Sequence, residues 1–236
     1  MATPTPSTTG DTPASCSELI PPSAKRVKKA PSLCDEHHDM VTIIIKSPIP
    51  GKDEKKYIMH KSIACYYSPV LNKAFNGPFT EGQTQTMTID DFKQPAAFGA
   101  IQSWMYMQKA DGLKDEWGGR SNMLFYVWIL ADRLIMPALQ NDLMGLLIGM
   151  PIPLNSLSWM YENTGPHSEL RSLLVDRCAA LPVWKNTADR ELWIDAKVPT
   201  ELLVDTLYAQ AREDKPTKQN IKPEAYFVKI DRSIAD

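Results

Sequence analysis

Met59-His60-Lys61-Ser62-Ile63-Ala64-Cys65-Tyr66-Tyr67-Ser68-Pro69-Val70-Leu71 is the stretch on which the fold turns. It leaves a short apolar segment, Tyr57, Ile58 and Met59, and enters a helix at His60. A second helix starts at Ser68-Pro69, because a Ser oxygen accepts from a free backbone N–H while proline tolerates the first helical position. Gly77 and Pro78 end that helix.

Working outward, Met40, Val41, Thr42, Ile43, Ile44 and Ile45 form a β-branched run that predicts a strand buried on both faces, stopped by Pro48, Pro50 and Gly51. The charged turn Lys52 to Lys56 makes Tyr57 to Met59 its hairpin partner. Thr86, Met87, Thr88 and Ile89 predict a third strand, too short to stand outside that sheet. Beyond Pro95 the period is helical. Phe98, Ile101 and Met105 share one face; Leu124, Val127, Trp128, Ala131 and Leu134 share a second; Leu139, Leu143, Leu146 and Leu147 form a third. A polar loop, Lys109 to Arg120, joins the first two.

Helices are also expected past Gly149, at Leu154 to Glu162, along Leu170, Leu173, Leu174 and Cys178, and along Val204, Leu207, Tyr208 and Ala211. Stripes this apolar are expected to be buried, on the preceding domain or on a partner. The sequence divides into an arm at 1–38, an α+β domain at 39–149, a helical extension at 150–213 and a flexible tail at 214–236, in which Tyr226 to Val228 has the composition of a short docking strand.

Composition narrows the function. The chain has 236 residues, 43% hydrophobic and 23% charged, with 26 Lys+Arg against 28 Asp+Glu. That balance gives no global field for nucleic acid or an anionic membrane, and direct nucleic-acid binding is not expected. No apolar run reaches the ~18 residues of a membrane span, and Pro151 and Pro153 cut the longest one. Met1 to Gly10 lacks the apolar core of a secretion signal. Cys16, Cys34, Cys65 and Cys178 are widely spaced and read as reduced thiols of the cytosol or nucleus.

The helix and strand order, taken with particular residues, resembles the BTB/POZ domain. The residues that carry it are Met59, His60 and Lys61 leading to Ala64; Ser68, Pro69, Val70 and Leu71; Phe75 and Gly77; Phe79, Thr80 and Glu81; Ile89 and Asp91; Phe98; Trp104 to Tyr106; and Ala131 to Leu134. The fold this implies is α+β, a small three-stranded sheet with a cluster of helices, over roughly residues 40–149. Tyr161 to Thr164 with Ser168 to Asp176 is similar to the helical extension of BTB proteins from filamentous fungi. One departure is local: dimerising members place Asp directly before the Val-Thr pair of the first strand, where this chain has Met40, with Asp39 one residue earlier.

No catalytic constellation is present: no GxGxxG, Walker loop, HExxH or nucleophile elbow. His60 reads as a hydrogen-bonded structural residue and Ser68 as a cap. A cysteine hydrolase, Cys65 or Cys178 served by His60 or His167, is the reading from another class, against which both thiols fall on apolar faces. Cys34, His37, His38 and Asp39 lack the closed spacing of a structural zinc site, so neither metal nor cofactor is expected.

What remains is protein binding, by an oligomerising adaptor or transcription-associated scaffold that forms homodimers or heterodimers. Lys25, Arg26, Lys28 and Lys29, held between Pro22 and Pro31, resemble a monopartite nuclear localisation signal for importin, which places the protein in the nucleus as well as the cytoplasm. The alternative is a substrate adaptor of a cullin-3 ubiquitin ligase. Phe79 and Glu81 match the family's hydrophobic-x-Glu spacing for cullin contact.

Overall fold

The first strand, β1 (Met40–Ile45), buries Val41, Ile43 and Ile45 and leaves Met40 exposed and Thr42 and Ile44 half-buried. This corrects the expectation of burial on both faces: the strand follows the two-residue alternation, with full burial on one face and partial cover on the other. In this computed structural model, residues 1, 30–34, 38–51, 53–110, 113, 122–152, 154–181, 191 and 193–230 are described. β2 (Lys55–His60) pairs antiparallel with β1, Met40 opposite His60 and Ile45 opposite Lys55. β3 (Thr86–Ile89) pairs parallel on the other side, Thr42 opposite Thr86, which makes the order β2-β1-β3.

Between β2 and β3 lie α1 (Lys61–Tyr67), α2 (Pro69–Asn76) and α3 (Thr80–Thr84). Ser68 ends α1 and begins α2. Its N–H donates to Ala64 O at 3.1 Å, and its hydroxyl accepts from Leu71 N at 3.2 Å, the expected cap. The same hydroxyl donates to Leu134 O at 2.7 Å, a long-range bond that a simple cap does not require.

α4 (Ala97–Met107) buries Phe98, Ile101, Trp104 and Met105, and Trp104 Nε1 donates to Asp142 Oδ2 at 2.8 Å. α5 (Asn122–Arg133) is buried at every position from Met123 to Ala131, so it is the central helix of the core and shows no polar face there. α6 (Pro137–Leu147) closes the domain through Leu139, Leu143, Met144 and Leu147.

The extension begins with a 3-10 turn (Leu154–Ser156) and α7 (Leu157–Glu162), followed by α8 (Glu169–Ala179) and α9 (Thr200–Ala211). Leu157, Met160, Leu170, Leu173, Leu174 and Cys178 belong to the same buried cluster as β1 and α5. Aromatic packing (Tyr126 and Trp159, ring centres 4.6 Å apart) and polar ties (Arg133 Nη2 to Asn163 Oδ1, 2.5 Å; Arg177 Nη1 to Leu147 O, 2.9 Å) join the two parts. Arg171 organises the extension, donating to Thr164 O at 2.7 Å, pairing with Glu201 at 2.9 Å and lying 4.3 Å from the Tyr161 ring centre.

The C-terminal part decides between two alternatives and changes one expectation. α9 packs through Leu202, Thr206 and Ala209, so the stripe of Val204, Leu207, Tyr208 and Ala211 is not buried on the preceding domain and faces outward, which leaves a partner as its expected cover. The stretch at 214–230 is not free chain. Pro223–Tyr226 forms a 3-10 turn, not a strand, and Tyr226 is buried.

Candidate protein-interaction surfaces

The turn after α2 is built on two glycines. A Cβ on Gly82 would stand 2.1 Å from Gly77 O, and one on Gly77 would stand 2.4 Å from Lys73 O and 3.0 Å from Phe79 Cδ2. Such approaches lie inside van der Waals contact, so only glycine permits this backbone path. The loop is fastened beneath by Gln85, in the left-handed region at φ 52°, whose Nε2 donates to Phe75 O at 3.2 Å and Gly82 O at 2.5 Å. On this platform Phe79 is the residue before α3, its carbonyl accepting from Gly82 N at 3.0 Å, and its side chain is 54% exposed. Glu81, half-buried, lies in the first turn of α3, where the helix dipole favours a carboxylate, and it makes no ion pair among the described residues. The two sequence-predicted contact residues therefore share one rigid turn.

A second surface was not legible beforehand. Met40 and Ile58, exposed, project from the same side of the β1–β2 pair, because Met40 faces His60 and Thr42 faces Ile58. Tyr106, also exposed, continues the patch, since His60 Nδ1 lies 2.6 Å from Tyr106 Oη and the His60 N–H donates to that oxygen at 3.1 Å. His60 is thus a hydrogen-bonded surface residue. The outward stripe of α9 is a third surface, with Leu207 59% and Tyr208 75% exposed.

Reactive chemistry is poorly supported by the same geometry. Cys178 is 1% exposed and burial pushes its thiol up to about 12, the reverse of the shift that activates a nucleophile. Cys65 is buried, with Asn76 Nδ2 3.6 Å from its sulfur. Among the described residues no group of three His, Cys, Asp or Glu side chains is placed to hold a metal ion. His37 and the basic cluster Lys25, Arg26, Lys28 and Lys29 lie outside the described residues.

Other residues of the sequence pattern have structural work. Arg133 pairs with Asp91 at 2.9 Å, and Asp132 Oδ1 accepts from Gln140 Nε2 at 3.0 Å. Together these ties hold the end of α5 to the segment after β3 and to α6.

A sheet of order β2-β1-β3, a helical hairpin joined at a shared Ser cap and a buried central helix define the architecture that carries these surfaces. The family model for the BTB/POZ domain matches residues 32–148, and the chain is a BTB/POZ-domain protein. Its class of activity is therefore protein binding and assembly. No curated protein matches the chain.

Proposed function

We propose that the protein is an oligomerising adaptor that works in the nucleus, bringing partner proteins together through its BTB/POZ domain and its helical extension. The observation that carries this reading is the presence of uncovered apolar side chains on two elements of a finished core: Met40 and Ile58 on the sheet, Val204, Leu207 and Tyr208 on α9. Contiguous exposed apolar surface of this kind marks association sites. Light scattering at micromolar concentration tests the assembly: a species of two or more copies, lost in Met40→Asp with Ile58→Asp, is expected, and a wild-type monomer rejects it. The nuclear assignment rests on the basic cluster. Neutralising Lys25, Arg26, Lys28 and Lys29 together is expected to move the protein to the cytoplasm, and an unchanged distribution rejects the signal.

A second reading, a substrate adaptor of a cullin-3 ligase, is favoured by the presentation of Phe79 on its glycine-pinned turn with Glu81 beside it. Phe79 would enter an apolar pocket and Glu81 would make a polar contact at the rim. Phe79→Ala combined with Glu81→Ala is expected to abolish co-purification of cullin-3 at unchanged melting temperature, because both side chains contribute little to the core. Retention of the cullin by the double variant rejects this role.

A further inference from the structure

The segment after the last 3-10 turn is held as a receptor holds a peptide. Asn141, on α6, turns both ends of its amide to one residue of it: the Val228 N–H donates to Asn141 Oδ1 at 2.7 Å, and Asn141 Nδ2 donates to Val228 O at 3.0 Å. A planar amide meets the N–H and C=O of a single residue only when that residue is extended, so this contact reads backbone and no side chain. Two residues earlier the Tyr226 ring is buried, and its hydroxyl donates to Asp176 Oδ2 on α8 at 2.7 Å. Between them Phe227, in extended backbone at φ −73° and ψ 130°, points outward and is 40% exposed. Val228 packs half-buried against the core.

The side chains run in, out, in: Tyr226 closes the 3-10 turn with its ring buried, the chain continues extended through Phe227, and an aliphatic residue follows at the third position. Neither position belongs to a strand ladder, and the fastening groups come from the side chains of two helices, Asn141 on α6 and Asp176 on α8. Arg212 lies 3.6 Å from the other oxygen of Asp176, so the carboxylate keeps a partner when the tyrosine leaves.

We infer that the face formed by Asn141 of α6 and Asp176 of α8 is a docking site for a partner segment that carries tyrosine at the end of a turn and a valine-like residue two positions on, and that residues 226–228 occupy it in cis as a displaceable strap. The site is distinct from the Phe79 turn and does not depend on the reading given to it. The tether from the end of α9 to the strap, residues 212–225, sets an effective concentration on the order of millimolar, against which any free competitor works. A phosphotyrosine partner is excluded by charge, because its phosphate would face the Asp176 carboxylate.

The test uses the full chain and a fluorescein-labelled peptide of residues 221–230, read by fluorescence anisotropy. Tyr226→Ala, which removes the buried ring and its hydroxyl from the strap, is expected to bind the peptide at least about 10-fold more tightly than wild type. Val228→Pro, which deletes the N–H given to Asn141, is the second strap variant and is expected to do the same. Adding Asn141→Ala to either, or phosphorylating the peptide tyrosine, is expected to abolish the capture. Equal binding by wild type and both strap variants, or capture that survives Asn141→Ala, overturns the inference.

Discussion

The Ser68 hydroxyl donates to the Leu134 carbonyl at 2.7 Å, joining residues 66 positions apart in the chain. It also caps α2, so one fully buried oxygen serves that helix and the turn after α5. Ser68→Ala would strand the Leu71 N–H and the Leu134 C=O in the core. The expected loss, a cap and a buried acceptor together, is about 2 to 4 kcal/mol. Denaturant unfolding measures it, and a change under about 1 kcal/mol would show that the two groups find other partners.

Gly82 tests the interaction turn without touching Phe79 or Glu81. Alanine there meets backbone at 2.1 Å, and the Gly77 carbonyl cannot rotate away as a side chain would. Gly82→Ala is expected to cost about 1 to 3 kcal/mol by overpacking. If Phe79 is a binding residue, partner affinity falls with it, because the ring loses its platform. Gly51, at φ 78° with open space where its Cβ would be, is the control for a purely conformational glycine effect.

Thiol labelling separates the cysteines by environment. At pH 8 in native protein, Cys34 is expected to react with a small thiol probe, since it is exposed, while Cys178 stays unmodified until denaturant is added. Mass spectrometry of the labelled peptides gives the answer. Rapid native labelling of Cys178 would reopen the hydrolase reading.

Most of the fold was readable because the informative residues act locally. Ser68-Pro69 announces a helix start by its own chemistry, and the β-branched run at 40–45 announces a strand. What was not readable depended on geometry at a distance. One face of β1 is only partly covered, which depends on how distant elements pack and which no property of its six residues reports. The outward turn of the α9 stripe is likewise decided at a distance: Leu202, Thr206 and Ala209 form a periodic but less apolar face, and that is the face the fold buries. At the candidate site, the spacing of Phe79 and Glu81 was legible. The Gly77–Gly82 approach that fixes them is a contact between backbones, and Asn141 with Val228, 87 residues apart, left no trace in the pattern.

The order β2-β1-β3 has a consequence for how the molecule is made. The innermost strand is the earliest synthesised, and its parallel neighbour lies 44 positions downstream, at Thr86 against Thr42. A nascent chain on the ribosome can form the hairpin as soon as His60 emerges, but Thr42 to Ile45 keep one row of amide and carbonyl groups bare until Ile89 clears the exit tunnel. Translation speed across those codons therefore governs how long a sticky ribbon is available to neighbouring polypeptides, and synonymous changes that stall there should raise the aggregated fraction without altering a single amino acid.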